Sequence, residues 1–161
     1  MQDFADIDLV VEDVMRGKYL TFLVGDAGYG IEISYVVEII SVQEITLVPH
    51  THLYVKGIIN LRGTVIPVID MAMRFGQGEV QYTEKTCIIV LTLDDMSIGI
   101  LVDGVQDVSD IDDEDIQDPP KITGNSMKNF FIKAVGAVNG EVKQLVDVYK
   151  VFEVYDEEQS A

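Results

Sequence analysis

The sequence lacks the features that mark secreted and membrane-spanning proteins. It contains a single cysteine, Cys87, so no disulfide can form within the chain. Its apolar runs, such as Cys87–Leu91, are far shorter than the ~20 residues that a membrane-spanning helix needs. No basic and apolar leader opens the chain, since the segment Met1–Asp13 already carries 5 acidic residues. These absences predict a cytoplasmic protein that does not insert into a membrane.

Basic residues are also scarce, and their scarcity excludes whole classes of partner. Lysine and arginine together number 11 against 28 acidic residues, which gives a net charge of −17. Such a charge repels phosphate backbones and anionic lipid headgroups. We therefore expect no nucleic-acid partner and no binding to membrane surfaces. The hydrophobic content of 48% is too high for a disordered chain and favours a folded domain that meets other proteins through apolar patches and local charges.

What the sequence does contain is a series of short β-branched and aromatic runs separated by turn residues. Asn139-Gly140 is the pair that a type I′ hairpin turn needs, because both positions require positive φ. Helical turns are predicted at Met71–Arg74 and Val148–Phe152, each after an aspartate that can cap it. The predicted strands are Tyr19–Val24, Gly30–Ile33, Val36–Ile40, Ile58–Leu61, Val65–Ile69, Ile88–Leu93, Ile98–Val102 and Val142–Val146.

The second half of the chain repeats the first. Tyr19–Ile39 aligns without a gap on Ile88–Val108, with a shift of 69 positions (88 − 19 = 69). Tyr54–Phe75 aligns on Phe131–Phe152 with a shift of 77 (131 − 54 = 77). Gly30 meets Gly99 in the first block, and in the second block a turn glycine and a strand-ending aspartate stay in register, which indicates an internal duplication. The sequence therefore predicts an all-β fold with few short helices, built as two similar small barrels.

The duplication also predicts the domain boundaries. One domain at 18–152 is expected to hold two intertwined β-barrel subdomains, with repeats near 19–75 and 88–152. Residues 1–17 form an N-terminal extension and residues 153–161 form a C-terminal tail in this division, because neither segment has an identifiable strand partner.

No motif for catalysis or for a cofactor is visible. The histidines, His50 and His52, share one loop that has no carboxylate or thiol at a useful spacing, so they could bind a metal only with ligands from elsewhere. Gly76-Gln77-Gly78 lacks the third glycine of a dinucleotide-binding loop. The acidic run at 112–115 lacks the ligand spacing of a calcium loop. We expect no catalytic residue, no metal and no cofactor.

One charged pair stands in an otherwise apolar setting. Glu38 interrupts a Val-Val-Glu-Ile strand, and Arg62 lies in a predicted hairpin turn. If the hairpin folds back on that strand, the two side chains can form a bidentate, charge-assisted contact that orients the arginine. The alternative is that Glu38 faces solvent by strand alternation and that Arg62 is an ordinary exposed turn residue. The spacing alone leaves both readings open.

The segment VKGIINLRGTVIPVID at Val55–Asp70 resembles the most characteristic part of the CheW family of chemotaxis coupling proteins. The resemblance runs from about Lys18 to Phe152 and includes YGIEI at Tyr29–Ile33, IGILVDGV at Ile98–Val105 and LVDV at Leu145–Val148. It implies two five-stranded SH3-like barrels that share a core. It also implies a non-enzymatic adaptor that joins the regulatory domain of the histidine kinase CheA to the tips of methyl-accepting chemoreceptors, in arrays on the inner face of the membrane.

The resemblance further implies which residues contact partners. Those at receptor-binding positions are Val36, Glu38, Gly57, Arg62, Gly63, Gly99 and Val108. Glu38 and Arg62 would act through surface chemistry and the three glycines through backbone geometry or close approach, whereas Val108 is expected in the core. Ile40, Gln117 and Ile122 stand at kinase-contact positions. Many relatives have a basic residue at the position of Gln117 and an aromatic one at that of Ile122, so this chain departs from the pattern there.

Other functions remain possible on the sequence. The CheW-like domain also occurs at the end of the kinase itself, so a detached CheA-type regulatory domain would share the fold and compete for the same contacts. An acidic β-barrel interaction module with another partner would share the composition. An enzyme is the weakest alternative, because the sequence contains no plausible reacting group.

Overall fold

The computed structural model describes residues 16–49, 51–119 and 130–151, which contain eleven strands. Each predicted strand overlaps an observed one. Three further strands, β8, β9 and β10, lie in the second half; β8 and β10 fall where the repeat alignment places copies of β3 and β4. The strands are β1 Lys18–Val24, β2 Ala27–Glu32, β3 Val36–Ser41, β4 Val55–Leu61, β5 Thr64–Asp70, β6 Cys87–Leu93, β7 Met96–Val102, β8 Gly104–Asp110, β9 Ile116–Gln117, β10 Ile132–Val138 and β11 Glu141–Val146.

The strands form two sheets, and the chain closes each of them into a barrel. The six-stranded sheet has the order β8-β1-β2-β11-β10-β9 and is called barrel A; the five-stranded sheet has the order β3-β6-β7-β5-β4 and is called barrel B. The end strands of barrel A, β8 and β9, are consecutive in the chain. In barrel B the segment after β3 pairs with β4, because Thr46 of this segment and Ile58 of β4 exchange two backbone hydrogen bonds of 2.9 Å.

Each barrel is built from both repeats. The hairpin β1–β2 of the first repeat completes barrel A, and the equivalent hairpin β6–β7 of the second repeat completes barrel B. The joins are two equivalent parallel pairings, β2 with β11 and β5 with β7, while the other pairings are antiparallel. Neither repeat can therefore close a barrel alone, and the predicted duplication takes the form of a strand exchange.

A large apolar cluster is shared by both barrels, and a smaller one around Tyr19, Ile111 and Leu145 lies in barrel A. Phe22 and Tyr29 of barrel A belong to the same buried cluster as Ile88 and Leu91 of barrel B. At the centre the ring of Phe75 stacks on that of Tyr29 at 4.9 Å between centroids and lies 5.8 Å from that of Phe131. The expectation of a shared core is confirmed.

A buried arginine joins the two repeats. The guanidinium carbon of Arg74, a residue that is 2% exposed, lies 4.0 Å from the ring centre of Tyr54 and 4.7 Å from that of Phe131. These two rings are repeat equivalents (54 + 77 = 131). Nη2 of Arg74 donates to the carbonyl of Val151 at 3.1 Å, and Val151 is the repeat equivalent of Arg74 itself (74 + 77 = 151). Arg74 of the first repeat thus contacts residues of both repeats.

Both predicted helical turns are present and capped. The helix Met71–Arg74, called α1, starts after Asp70, whose carboxylate accepts from the backbone N–H of Met73 at 3.1 Å and of Val80 at 3.1 Å. Burial raises the pKa of Asp70, which is fully enclosed. The equivalent Asp147 accepts from Tyr149 and Lys150 at the start of the helical residues 148–151. Residue 152 lies outside the described chain.

Gly57 allows a close approach that a side chain would prevent. Its φ of +152° lies outside the region that L residues favour, and a Cβ there would lie 2.2 Å from the carbonyl oxygen of Thr46. The segment that carries Thr46 closes barrel B, so the glycine permits the closure.

We expect Arg74→Ala to lower the free energy of unfolding by about 3 kcal/mol, because it removes a large buried side chain packed between two rings and leaves the Val151 carbonyl without this donor. Urea denaturation measures the loss. Lys85→Ala, at an exposed position, is the control and should change stability by less than about 0.5 kcal/mol. An Arg74→Ala loss below about 1 kcal/mol would show that the repeats hold together without this contact.

We expect Gly57→Ala to cost more stability than Gly140→Ala. Both glycines have positive φ, but a Cβ added at Gly140 would meet no heavy atom within 4 Å. Gly140→Ala should cost about 1 kcal/mol from backbone strain, and Gly57→Ala at least about 2 kcal/mol more because the chain at Thr46 must move. Thermal and urea unfolding of the two variants measure the difference. Equal losses would refute the close-approach explanation.

Candidate functional site

Glu38 and Arg62 form an ion pair across the opening of barrel B. Glu38 lies on β3, at one end of the strand order, and Arg62 lies in the β4–β5 turn, at the other end. Nη1 of Arg62 donates to Oε1 of Glu38 at 3.1 Å, and Nη2 donates to Oε2. The bidentate contact that the sequence left open is therefore present. It connects β3 with the β4–β5 hairpin, which are not neighbours in the sheet.

The ion pair is half enclosed. The Glu38 side chain is 26% exposed and that of Arg62 is 70% exposed. Glu38 shares its face of β3 with the half-buried Val36 and Ile40, while Val37 and Ile39 face outward with exposures of 55% and 44%. Strand alternation turns the two apolar neighbours outward, so Glu38 does not face open solvent, whereas Arg62 is an exposed turn residue as the alternative expected.

Each member of the pair favours the charged form of the other. The hydrogen bond from Arg62 holds the pKa of Glu38 below its ordinary value, and the same bond raises the pKa of Arg62. The hydrogen bond thus stabilises the charged state of both groups.

The pair borders a cavity of about 270 Å³ at the mouth of barrel B. Ile66 and Val90 also line it, but each is only 2% exposed, so the accessible lining is mostly polar. The sequence did not predict the other residues that line this cavity. Strand alternation could have found one of them, since an inward Glu38 on β3 places its neighbour Val37 at the surface. The lining residues are Val37, Glu38, Leu61, Arg62, Thr64, Ile66, Val90 and Ser97.

The duplication produces a second mouth of different chemistry. A cavity of about 230 Å³ in barrel A is lined by Asp107 and Asn139, the repeat equivalents of Glu38 and Arg62. Lys143 takes the place of Ile66 (66 + 77 = 143), and its ammonium donates to Oε1 of Gln106 and to Oε2 of Glu141, both at 3.0 Å. Both mouths therefore carry charged groups, but a lysine in barrel A takes the position that the buried Ile66 has in barrel B.

The predicted glycines have positive φ or close contacts that a side chain would disturb. Gly63 follows Arg62 in the turn with φ +89°, and Gly57 has the close approach described above. Gly99 is buried on β7, and a Cβ there would lie 2.7 Å from Cγ2 of Ile88. Val108 is 49% exposed, so the expectation that it belongs to the core is wrong. It lies on β8, the end strand of barrel A, where Leu20 of β1 pairs with its backbone but no strand covers its side chain.

The residues at kinase-contact positions are spread over both barrels. Ile40 lies on β3 of barrel B, half-buried and packed against the core. Gln117 is exposed on β9 of barrel A, where it pairs with Val135. Ile122 lies outside the described residues.

Chemically reactive groups are few in the described chain. No cluster of three or more His, Cys, Asp or Glu side chains within residues 16–49, 51–119 and 130–151 could hold a metal. His52 stacks on Tyr54, with ring centroids 5.2 Å apart, and His50 is outside the described residues. Burial raises the pKa of the Cys87 thiol, which lies half-buried on β6. Among the helices that the structure describes, none has the length and apolar character to cross a membrane.

Comparison with known proteins gives consistent matches over nearly the whole chain. The family model of the CheW-like domain matches residues 18–155. The chemotaxis protein CheW of Klebsiella aerogenes is 32% identical over 151 residues, which cover 94% of this chain and 90% of that protein. The chemotaxis protein CheW of Rhizobium meliloti is 36% identical over 84% of this chain and 86% of its own length.

The fold matches as well as the sequence. The crystal structure of the scaffolding protein TtCheW from Thermoanaerobacter tengcongensis superposes with a TM-score of 0.78 at 31% identity, and the match covers 85% of this chain and 92% of that one. Strand exchange, shared core and sequence thus lead to one conclusion: the chain belongs to the family of CheW-like domains.

Proposed function

We propose that this CheW-family chain is a non-enzymatic adaptor that couples the kinase CheA to chemoreceptors in chemotaxis. The observation that carries the proposal is the match of the CheW-like domain over residues 18–155, together with chemotaxis proteins of the same family that align over most of their own length. The chain's role is then to hold two other proteins together, and no reaction step is assigned to it.

The mouth of barrel B is proposed to contact the receptor. Arg62 carries five guanidinium N–H groups, of which Glu38 accepts two in the bidentate contact, so others can bind partner carbonyls or carboxylates. The exposed Val37 and Ile39 add apolar surface beside this pair. An arginine beside apolar side chains suits the face of a helix that lies in a groove, with a few anchors supplying most of the affinity.

The kinase is proposed to bind through a separate surface. Gln117 is exposed on β9 of barrel A, whereas the Glu38–Arg62 pair belongs to barrel B. Ile40, the other kinase-contact position, lies on β3 two residues from Glu38 and does not belong to this separate surface. Separate surfaces allow one molecule to bind both partners at once, which a coupling protein requires.

The charge supports protein partners rather than nucleic acid or membrane lipids. A net charge of −17 repels phosphate groups, so we propose that the protein reaches receptor arrays in the cytoplasm through the receptors themselves. No cofactor or metal is assigned to it.

The adaptor proposal is tested by calorimetric titration of the full chain into the purified regulatory domain of its CheA. We expect saturable 1:1 binding with a Kd of roughly 1 μM. A ternary sample with a receptor fragment should then contain all three proteins. Binding to the kinase domain without any bridging to the receptor would indicate instead a detached regulatory domain, and a flat titration would indicate another partner.

We expect Arg62→Ala to weaken receptor binding at least about tenfold while changing the melting temperature little, because the arginine is exposed and contributes mainly to the interface. Lys18→Ala is the matched control, since Lys18 forms a surface ion pair of 2.9 Å with Asp110 on barrel A. The affinity of both variants for a receptor fragment and their melting temperatures are measured and compared with those of the wild type. A large loss of stability with unchanged affinity would make the ion pair structural.

A further inference from the structure

The turns of the two equivalent hairpins share one backbone shape but differ in sequence. In the β10–β11 turn, Asn139 and Gly140 have φ of 51° and 81°. In the β4–β5 turn, Arg62 and Gly63 have φ of 52° and 89°. Asparagine enters the left-handed region readily, whereas a long side chain such as arginine is uncommon there. The first hairpin therefore holds its arginine in a backbone conformation that arginine does not favour.

Asn60 supplies the first hairpin with a bond that the second cannot form. Oδ1 of Asn60 accepts from the backbone N–H of Gly63 at 2.8 Å, inside the turn. The repeat equivalent of Asn60 is Ala137 (60 + 77 = 137), whose side chain has no acceptor. This additional side-chain acceptor thus occurs in the hairpin whose turn contains Arg62, where it can stabilise a backbone conformation that arginine does not favour.

Asn60 also connects the hairpin to the chain that carries Glu38. Nε2 of Gln43 donates to the backbone carbonyl of Asn60 at 3.1 Å, and Gln43 follows β3 by two residues. The strand with the carboxylate and the hairpin with the guanidinium are thus tied at a second point, beside their ion pair.

We propose that Asn60 is a positioning residue for Arg62. Its side chain holds Gly63, and with it the left-handed conformation of Arg62, so that the guanidinium stays in its bidentate contact with Glu38 at the mouth of barrel B. The consequence for receptor affinity rests on the function proposed above, whereas the effect on the Arg62 side chain does not. Asn60 touches no partner in this assignment and acts only through Arg62.

The first test uses the free protein. The Arg62 side-chain N–H signals in nitrogen-15 NMR spectra report whether the guanidinium is held, because exchange and rotation broaden those of a mobile one. Asn60→Ala should broaden the Arg62 signals, and Asn60→Asp, which keeps an acceptor oxygen, should retain them. The matched control is Ala137→Gly in the other hairpin, which should leave Arg62 unchanged. Unchanged Arg62 signals in Asn60→Ala would overturn the proposal.

The second test measures coupling in receptor binding. Asn60→Ala should weaken binding of a receptor fragment about fivefold, the effect of losing one ordinary hydrogen bond. In an Arg62→Ala background the same substitution should have no further effect, since Asn60 then has nothing to position. Equal losses in both backgrounds would show that Asn60 acts independently of Arg62. If the wild-type chain binds no receptor fragment, the proposed function fails, and the NMR result alone decides the role of Asn60.

A third variant separates turn stability from positioning. Arg62→Asn gives the first turn the residues of the second, so it should raise the melting temperature or leave it unchanged while receptor affinity falls as in Arg62→Ala. A lowered melting temperature would mean that Arg62 does not strain the turn, and that part of the argument would be wrong.

Discussion

The exchange of hairpins between the repeats is the constraint on which the rest of the structure depends. The parallel pairings of β2 with β11 and of β5 with β7 place strands of both repeats in each barrel, so the barrels form together. A shared core follows, because strands of both sheets contribute to the same large cluster. Arg74 lies where the repeats meet and contacts the equivalent rings of Tyr54 and Phe131, which adds a cation–π contact to the exchange.

The candidate site is a product of this closure. Glu38 and Arg62 belong to opposite ends of the strand order in barrel B, and no backbone ladder between β3 and β4 brings them together. They meet because the sheet curls and because the chain after β3 crosses to β4 at Thr46 and Ile58. The close approach at Gly57 permits that crossing. An effect of Gly57 on function therefore passes through the shape of the barrel mouth.

Local chemistry predicted much of this fold, and long-range pairing accounts for what it missed. Asn139-Gly140 and the aspartates before both helical turns were correct because each depends on its immediate neighbours. Intertwined barrels were expected, but which strands are exchanged was not derivable, since alternation shows which face of a strand is buried and not which strand lies beside it. Val108 was misplaced for the same reason: its apolar side chain lies on an end strand that no further strand covers.

The two barrel mouths differ in chemistry although they are equivalent in the repeat. The two repeats share one backbone but differ at equivalent positions. Barrel B has Ile66 and Arg62 where barrel A has Lys143 and Asn139. In barrel A both residues suit their positions in the free protein. Asn139 adopts the left-handed conformation readily, and Lys143 has two acceptors at 3.0 Å. In barrel B the turn holds an arginine in a backbone conformation that arginine does not favour, and its guanidinium contacts Glu38. Because unfavourable local conformations are common at functional sites, this asymmetry supports the proposal that the receptor binds at barrel B.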